Sequence, residues 1–194
     1  MSTVASTFLT PQEYLERERA AERKSEYFAG EMFAMAGASF AHVVIVTNLV
    51  VELGSRLRQK PCGVYSTDLR LATGASGLYT YPDLMVVCGK PAFIDSYLDT
   101  VTNPIVLIEV LSESTKNYDR GQKFESYRAI PSLMEYMTVS QDKIHVEIHT
   151  RQPDNSWLLR ELDNSGPVKL QSIGVELQLA DIYEKVEFTS SERR

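Results

Sequence analysis

Apolar positions change their period several times along this chain, and each change marks an element. Thr10-Pro11-Gln12-Glu13 has the residues of a capping box with proline at the first helical position. That predicts a charged surface helix over residues 11–24. Ser25 to Met35 reads as a hairpin: Tyr27, Phe28, Met32 and Phe33 flank Ala29-Gly30, and Gly30 supplies the turn. After a break at residues 37–40, His42, Val46, Leu49, Leu53 and Leu57 fall at steps of three and four. The spacing predicts a helix over 42–57, with Arg56, Arg58 and Lys60 near its C-terminal end, where positive charge suits the dipole. Alternation takes over from Val64 to Thr73 and predicts one strand there. Pro82 precedes Asp83 and a second strand, Leu84 to Cys88. Residues 89–102 show no clear period and read as a loop with a short helix.

The stretch from Ile105 to Leu111 is apolar but for Glu109, as a central strand covered on both faces would be. Side chains alternate along a strand, so Ile105, Leu107, Glu109 and Leu111 share a face. A polar loop over residues 112–118 leads to a helix that Asp119 caps, with Gln122 at the capping-box position. Asp119, Lys123 and Tyr127 form one stripe on it, and Pro131 ends it. Strands follow at Met134–Val139 and over residues 143–151. In the latter, Ile144, Val146 and Ile148 oppose His145, Glu147 and His149. That second row reads as the water-facing side of an antiparallel strand rather than as a metal site. Trp157–Leu162 closes a hairpin, and Val168–Leu179 adds one or two strands before a terminal turn at residues 181–183. Residues 1–9 and 189–194 read as mobile ends. With no internal repeat or linker, the 194 residues are expected to form a single domain.

Composition narrows the function more than the fold. A net charge of −6 argues against tight, non-specific binding to polyanions, yet leaves room for a local basic groove. Lys116, Arg120, Lys123 and Arg128 make residues 114–128 locally positive, so Lys116 and Arg120 are expected to face nucleic-acid phosphates. Cys62 and Cys88 match no metal-ligand spacing and are expected to be reduced thiols. No apolar run approaches the ~20 residues that cross a bilayer, and no leader-like segment opens the chain. A cytoplasmic protein without a membrane partner is the expectation.

The chemistry lies in two acids. Glu109 within an apolar strand carries a desolvation cost, which a bound cation would offset. If Asp83 and Glu109 lie on neighbouring strands, their oxygens suit Mg²⁺, which keeps several waters and binds phosphate oxygens. A nearby lysine could stabilise charge on a phosphoryl group. The ordered set Gly30-Glu31, His42, Pro82-Asp83, Pro104, Glu109-Val110-Leu111-Ser112, Ser114-Thr115, Asp119, Lys123, Tyr127 and Glu135-Tyr136 resembles the Uma2-type (DUF820) family of restriction-endonuclease-like proteins, within the PD-(D/E)XK nuclease superfamily. The resemblance spans residues 10–183.

That resemblance implies an α/β fold of the α+β mixed-sheet type: a restriction-endonuclease-like core with flanking helices and C-terminal antiparallel hairpins. It implies a DNA endonuclease in which Asp83 and Glu109 bind Mg²⁺, with Mn²⁺ able to substitute. In the superfamily the lysine normally lies two residues after the second acid, a position held here by Leu111. Lys123 would supply the amine from the next helix instead. Glu31 and His42 fit supporting positions in the same catalytic set. DNA is the implied partner, and two-strand cleavage favours a homodimer. Two other functions stay open: a catalytically inactive nuclease-like binding or regulatory protein, and a metal hydrolase of small phosphate esters.

Overall fold

The computed structural model describes residues 8–112, 116–163 and 166–188. Most of the two expected mobile ends and residues 113–115 of the polar loop, Ser114 and Thr115 among them, lie outside it. The first helix, α1 (Pro11–Ala20), is four residues shorter than expected; Thr10 and Glu13 close the capping box on each other. Ala21 is already extended, and the chain runs on into the hairpin of β1 (Ser25–Phe28) and β2 (Glu31–Ala34). Gly30 sits at φ +92°, and a Cβ there would lie 2.5 Å from the Phe8 ring. Helix α2 (Phe40–Leu57) is capped by the Ser39 hydroxyl, which accepts from His42 N–H. It buries Ile45, Leu49, Leu53 and Leu57 and leaves Phe40, Val43 and Val51 exposed.

The single strand expected over Val64–Thr73 is two strands in two sheets. β3 (Cys62–Ser66) belongs to a six-stranded sheet, whereas β4 (Arg70–Ala72) belongs to a five-stranded one. Thr67, at φ +31°, turns the corner between them. A second corner lies beside it. β5 (Tyr79–Thr80) pairs with β1 and β4, and after Tyr81-Pro82-Asp83 the chain enters β6 (Leu84–Cys88) of the six-stranded sheet. Thr67 N–H donates to the Asp83 carbonyl at 3.3 Å, so one corner pins the other. β7 (Thr100–Val101) pairs parallel with β4 at the far edge.

The larger sheet runs β11-β10-β9-β8-β6-β3. β8 (Val106–Leu111) is buried at every position and central, as its apolar run predicts. β9 (Glu135–Ser140) lies parallel to it, joined by the helical segment of residues 116–128, while β10 (Val146–Arg151) and β11 (Trp157–Leu162) add antiparallel strands. β12 (Pro167–Leu170) and β13 (Val175–Gln178) form a separate hairpin that leads into α5 (Leu179–Ile182). One face of the sheet packs on α2, this hairpin and α5; the other carries Met85, Val87, Leu107 and Tyr136 against Tyr127, Ile130 and Leu133.

Two expectations are corrected here. The β3–β6 register sets Cys62 directly opposite Cys88, and they form a disulfide rather than two free thiols. The row His145, Glu147, His149 is not an open water-facing side: Glu147 is buried and the two histidines are half-buried. The helical segment packs on its last two members: Arg120 clasps Glu147, and the Phe124 ring lies 4.2 Å from the His149 ring.

Candidate active site

Both acids singled out from the sequence arrive at one place because β6 and β8 are neighbours in register, Leu84 opposite Ile108. The next position outward puts Asp83 beside Glu109. Asp83 N–H donates to Glu109 Oε2 at 3.2 Å, and Val110 N–H donates to Asp83 Oδ2 at 2.8 Å. His42, in the first turn of α2, brings Nε2 to 3.0 Å from Asp83 Oδ1. Each carboxylate is thus held by the backbone around the other, which fixes both at the end of the sheet.

The amine comes from the segment of residues 116–128. Its ends are α3 (Lys116–Tyr118) and α4 (Phe124–Arg128), and its middle, Asp119–Lys123, is a π-helical turn, a wider winding often found at functional sites. Asp119 and Lys123 bracket that turn and are both buried. The ammonium of Lys123 lies 3.1 Å from Glu109 Oε1, 3.1 Å from Glu26 Oε1 and 3.3 Å from Asp119 Oδ1. One turn on, Tyr127 OH donates to Glu109 Oε1 at 2.7 Å. Tyr136 OH donates to the Asp119 carbonyl at 3.1 Å. The stripe expected from the sequence is present, facing the sheet.

Glu26 completes the cluster, and Glu31 does not join it. Glu31 is exposed on β2 opposite Phe28, beside the turn. Glu26, on β1, is buried; it accepts hydrogen bonds from Thr80 and, at 3.1 Å, from Tyr118 OH. Sequence reasoning passed over Glu26, although a carboxylate beside Tyr27 and Phe28 carries the signal that made Glu109 stand out. Arg120 is bidentate on Glu147, with contacts of 3.0 and 2.8 Å, and Lys116 is half-buried near the end of β8.

Three carboxyl groups contact one ammonium and Asp83 lies beside Glu109, so acids outnumber the cation. Burial pushes the Glu109 carboxyl up to about 8, against the pull of Lys123, and the negative charges of Asp83 and Asp119 add to the rise. Burial alone would lower Lys123; Glu109 and the other acids around it outweigh that and hold its pKa well above the ordinary value. Lys123 is therefore a fixed cation. Among the described residues no three His, Cys, Asp or Glu side chains gather as a ready-made metal cage. Two adjacent carboxylates are nonetheless the donor type that Mg²⁺ takes together with water. Their excess negative charge is what a divalent ion would neutralise, so Asp83 and Glu109 fit such an ion.

Comparison with known proteins adds the following. The family model Uma2, described as "Putative restriction endonuclease", matches residues 11–181. A protein of Synechocystis sp. (strain ATCC 27184 / PCC 6803 / Kazusa), called "Uncharacterized protein sll1609", is 41% identical over 163 residues, covering 84% of this chain and 92% of its own. A second from that organism, "Uncharacterized protein slr1290", is 33% identical over 180 residues, 93% of this chain and 94% of its own. Among solved structures, a "putative nuclease belonging to DUF820" from Anabaena variabilis ATCC 29413 superposes with a TM-score of 0.73. It has 18% identity over 90% of this chain and 97% of that one, a likeness of fold. The mixed α/β architecture is the same.

Proposed function

Because the chain belongs to the Uma2 family, we propose that it is a divalent-metal-dependent DNA endonuclease hydrolysing phosphodiester bonds. The observation that carries this reading is the position of Lys123. Although displaced to a helix, its ammonium stands 3.1 Å from Glu109, beside the Asp83–Glu109 pair. Asp83 and Glu109 would hold Mg²⁺ or Mn²⁺. Such an ion, when bound, lowers the pKa of a water and draws charge from a phosphoryl oxygen. His42 orients Asp83 through Oδ1, and Tyr127 orients Glu109 through Oε1. Lys123 serves as an electrostatic stabiliser of the charge that builds on the attacked phosphate. In the hydrolysis, a water oxygen bonds to phosphorus, the ester P–O bond breaks, and the water proton ends on the departing sugar oxygen.

The test compares wild type with Asp83→Ala on plasmid DNA and on a single-stranded oligonucleotide, with and without Mg²⁺ or Mn²⁺. Wild type is expected to cleave only with metal, and Mn²⁺ binding by calorimetry is expected to vanish in Asp83→Ala. Unchanged Mn²⁺ affinity in that variant removes the carboxylate pair from the argument. A second reading, a catalytically inactive nuclease-like binding or regulatory protein, draws on a different fact. Lys123 is only 6% exposed and already satisfied by three carboxylates, as a purely structural ion cluster would be. Wild type that cleaves no nucleic acid under any of these conditions puts that reading first.

A further inference from the structure

A cavity of about 260 Å³ opens at the carboxyl ends of the parallel strands β8 and β9. Ligands of open α/β sheets gather at such strand ends. Its walls carry Lys116 and Arg120 from the helical segment, Lys143 from the turn after β9, and the hydroxyl residues Ser112 and Ser140. Asp142 is the acid among the lining residues, and its N–H donates to Ser140 Oγ at 3.2 Å. Two N–H donors of Arg120 hold Glu147, so three of the five on a guanidinium are not part of that clasp. Three cations from two separate elements thus converge on one concavity in a chain of net charge −6.

The cavity adjoins the acid cluster on two sides. Leu111, on its wall, follows Glu109 by two residues of the same strand, a rise of about 6.6 Å. Gln141, within the turn that carries Lys143, accepts from the Ser39 hydroxyl at 2.7 Å, and Ser39 caps the helix turn that presents His42 to Asp83. That two-residue rise is comparable with the separation of neighbouring phosphates along a nucleic-acid strand.

We propose that this cavity is a phosphate subsite, which holds the backbone phosphate next to the one lying at Asp83 and Glu109, with Lys143 as the residue that closes it. The proposal rests on the hydrolytic reading for the identity of the second phosphate. The acids cannot attract a polyanion unaided; the cationic cavity beside them supplies that attraction and sets which bond reaches the cluster.

The experiment measures binding of a fluorescein-labelled single-stranded DNA oligonucleotide by anisotropy, in EDTA so that no cleavage intervenes. The full chain is compared with Lys143→Ala, Lys143→Arg and the distant control Lys169→Ala. Lys143 is exposed, so these variants are expected to fold, which circular dichroism checks. Lys143→Ala is expected to bind about fivefold more weakly at 0.1 M salt, with the slope of log K against log salt reduced by about 0.7. Lys143→Arg and Lys169→Ala are expected to match wild type. Equal affinity in Lys143→Ala, or no binding by wild type, overturns the proposal. Titration with inorganic phosphate separates the sources: loss of phosphate binding in Lys143→Ala with oligonucleotide affinity intact assigns the cavity to free phosphate and overturns the backbone reading. Lys143-dependent binding by a wild type that hydrolyses nothing with Mg²⁺ or Mn²⁺ sinks the hydrolytic reading and leaves the subsite standing.

Discussion

The two faces of β8 are built to opposite rules. Val106, Ile108 and Val110 point toward α2 and pack in its apolar cluster. Leu107, Glu109 and Leu111 point the other way, where Glu109 meets a lysine and a tyrosine hydroxyl. The first face holds the sheet to its helix by burial alone, at roughly 1.5–3 kcal/mol per fully buried aliphatic side chain. The second accepts a desolvation penalty and offsets it with donors placed one by one. Glu135, at the start of β9, is the polar intrusion on the α2 side. It is capped by the Gln171 and Ser172 N–H groups and the Ser172 hydroxyl, with no cation among the described residues paired to it. The contrast separates a carboxylate that fastens a loop from carboxylates that crowd each other around an ammonium.

Adjacent substitutions can break this comparison. Lys123→Ala is expected to lower the cleavage rate about 10²–10³-fold while Mn²⁺ still binds. Lys123→Arg is not expected to restore it fully, since the planar guanidinium has another shape. Ile108→Ala, on the other face, should lose about 2–5 kcal/mol in urea unfolding yet cleave normally in its folded fraction. If both variants cleave at the wild-type rate, the polar face is structural and the contrast between faces has no bearing on chemistry.

Glu26 and Glu31 sharpen the same point within one hairpin. Glu26→Gln takes a carboxylate from Lys123 and weakens bonds to Thr80 and Tyr118, so a loss of about 1–3 kcal/mol is expected by urea denaturation. Glu31→Gln, on the exposed strand, should stay within about 0.5 kcal/mol of wild type. A larger loss from Glu31 than from Glu26 would reverse the assignment made from the contacts.

The last effect is a slope. Burial raises the Glu109 carboxyl from 4.5 to about 8, so the folded protein binds its proton more tightly than the unfolded chain does. The contribution of this group is fully present below pH 4.5 and is lost as pH rises to about 8. Glu109→Gln removes that loss. The variant should gain on wild type steadily between pH 5 and 8, read as the difference in urea midpoint. A difference that stays constant over that range assigns the titration elsewhere.

How much of this could be read from the chain differs by element. β8 was legible because an apolar run with one acid has few other uses. The Asp119–Lys123–Tyr127 stripe was legible because helical spacing survives the π-helical turn. The division of Val64–Thr73 between two sheets was not, since the corner at Thr67 depends on a hydrogen bond to Asp83 far along the chain. The alternation of β10 correctly set His145, Glu147 and His149 on one face, but alternation says nothing of what covers a face. Glu31 entered the expected set through the family resemblance, whereas Glu26 owes its place to β1 pairing with β5, a tertiary fact.

The disulfide makes part of the chain a closed ring. Cys62 and Cys88 stand 26 positions apart, and the segment between them holds both corners, Thr67 and Asp83, at which strands leave one sheet for the other. Closing a loop of this length removes unfolded-state freedom worth about 3.5 kcal/mol in the chain-entropy account. The ring also survives unfolding. A denatured molecule with the bond intact keeps β3 and β6 within reach of each other, so the strand that begins at Asp83 starts refolding with its neighbour already tethered. Whatever holds that acid in place is therefore written partly into covalent topology, and not only into the contacts of the folded state.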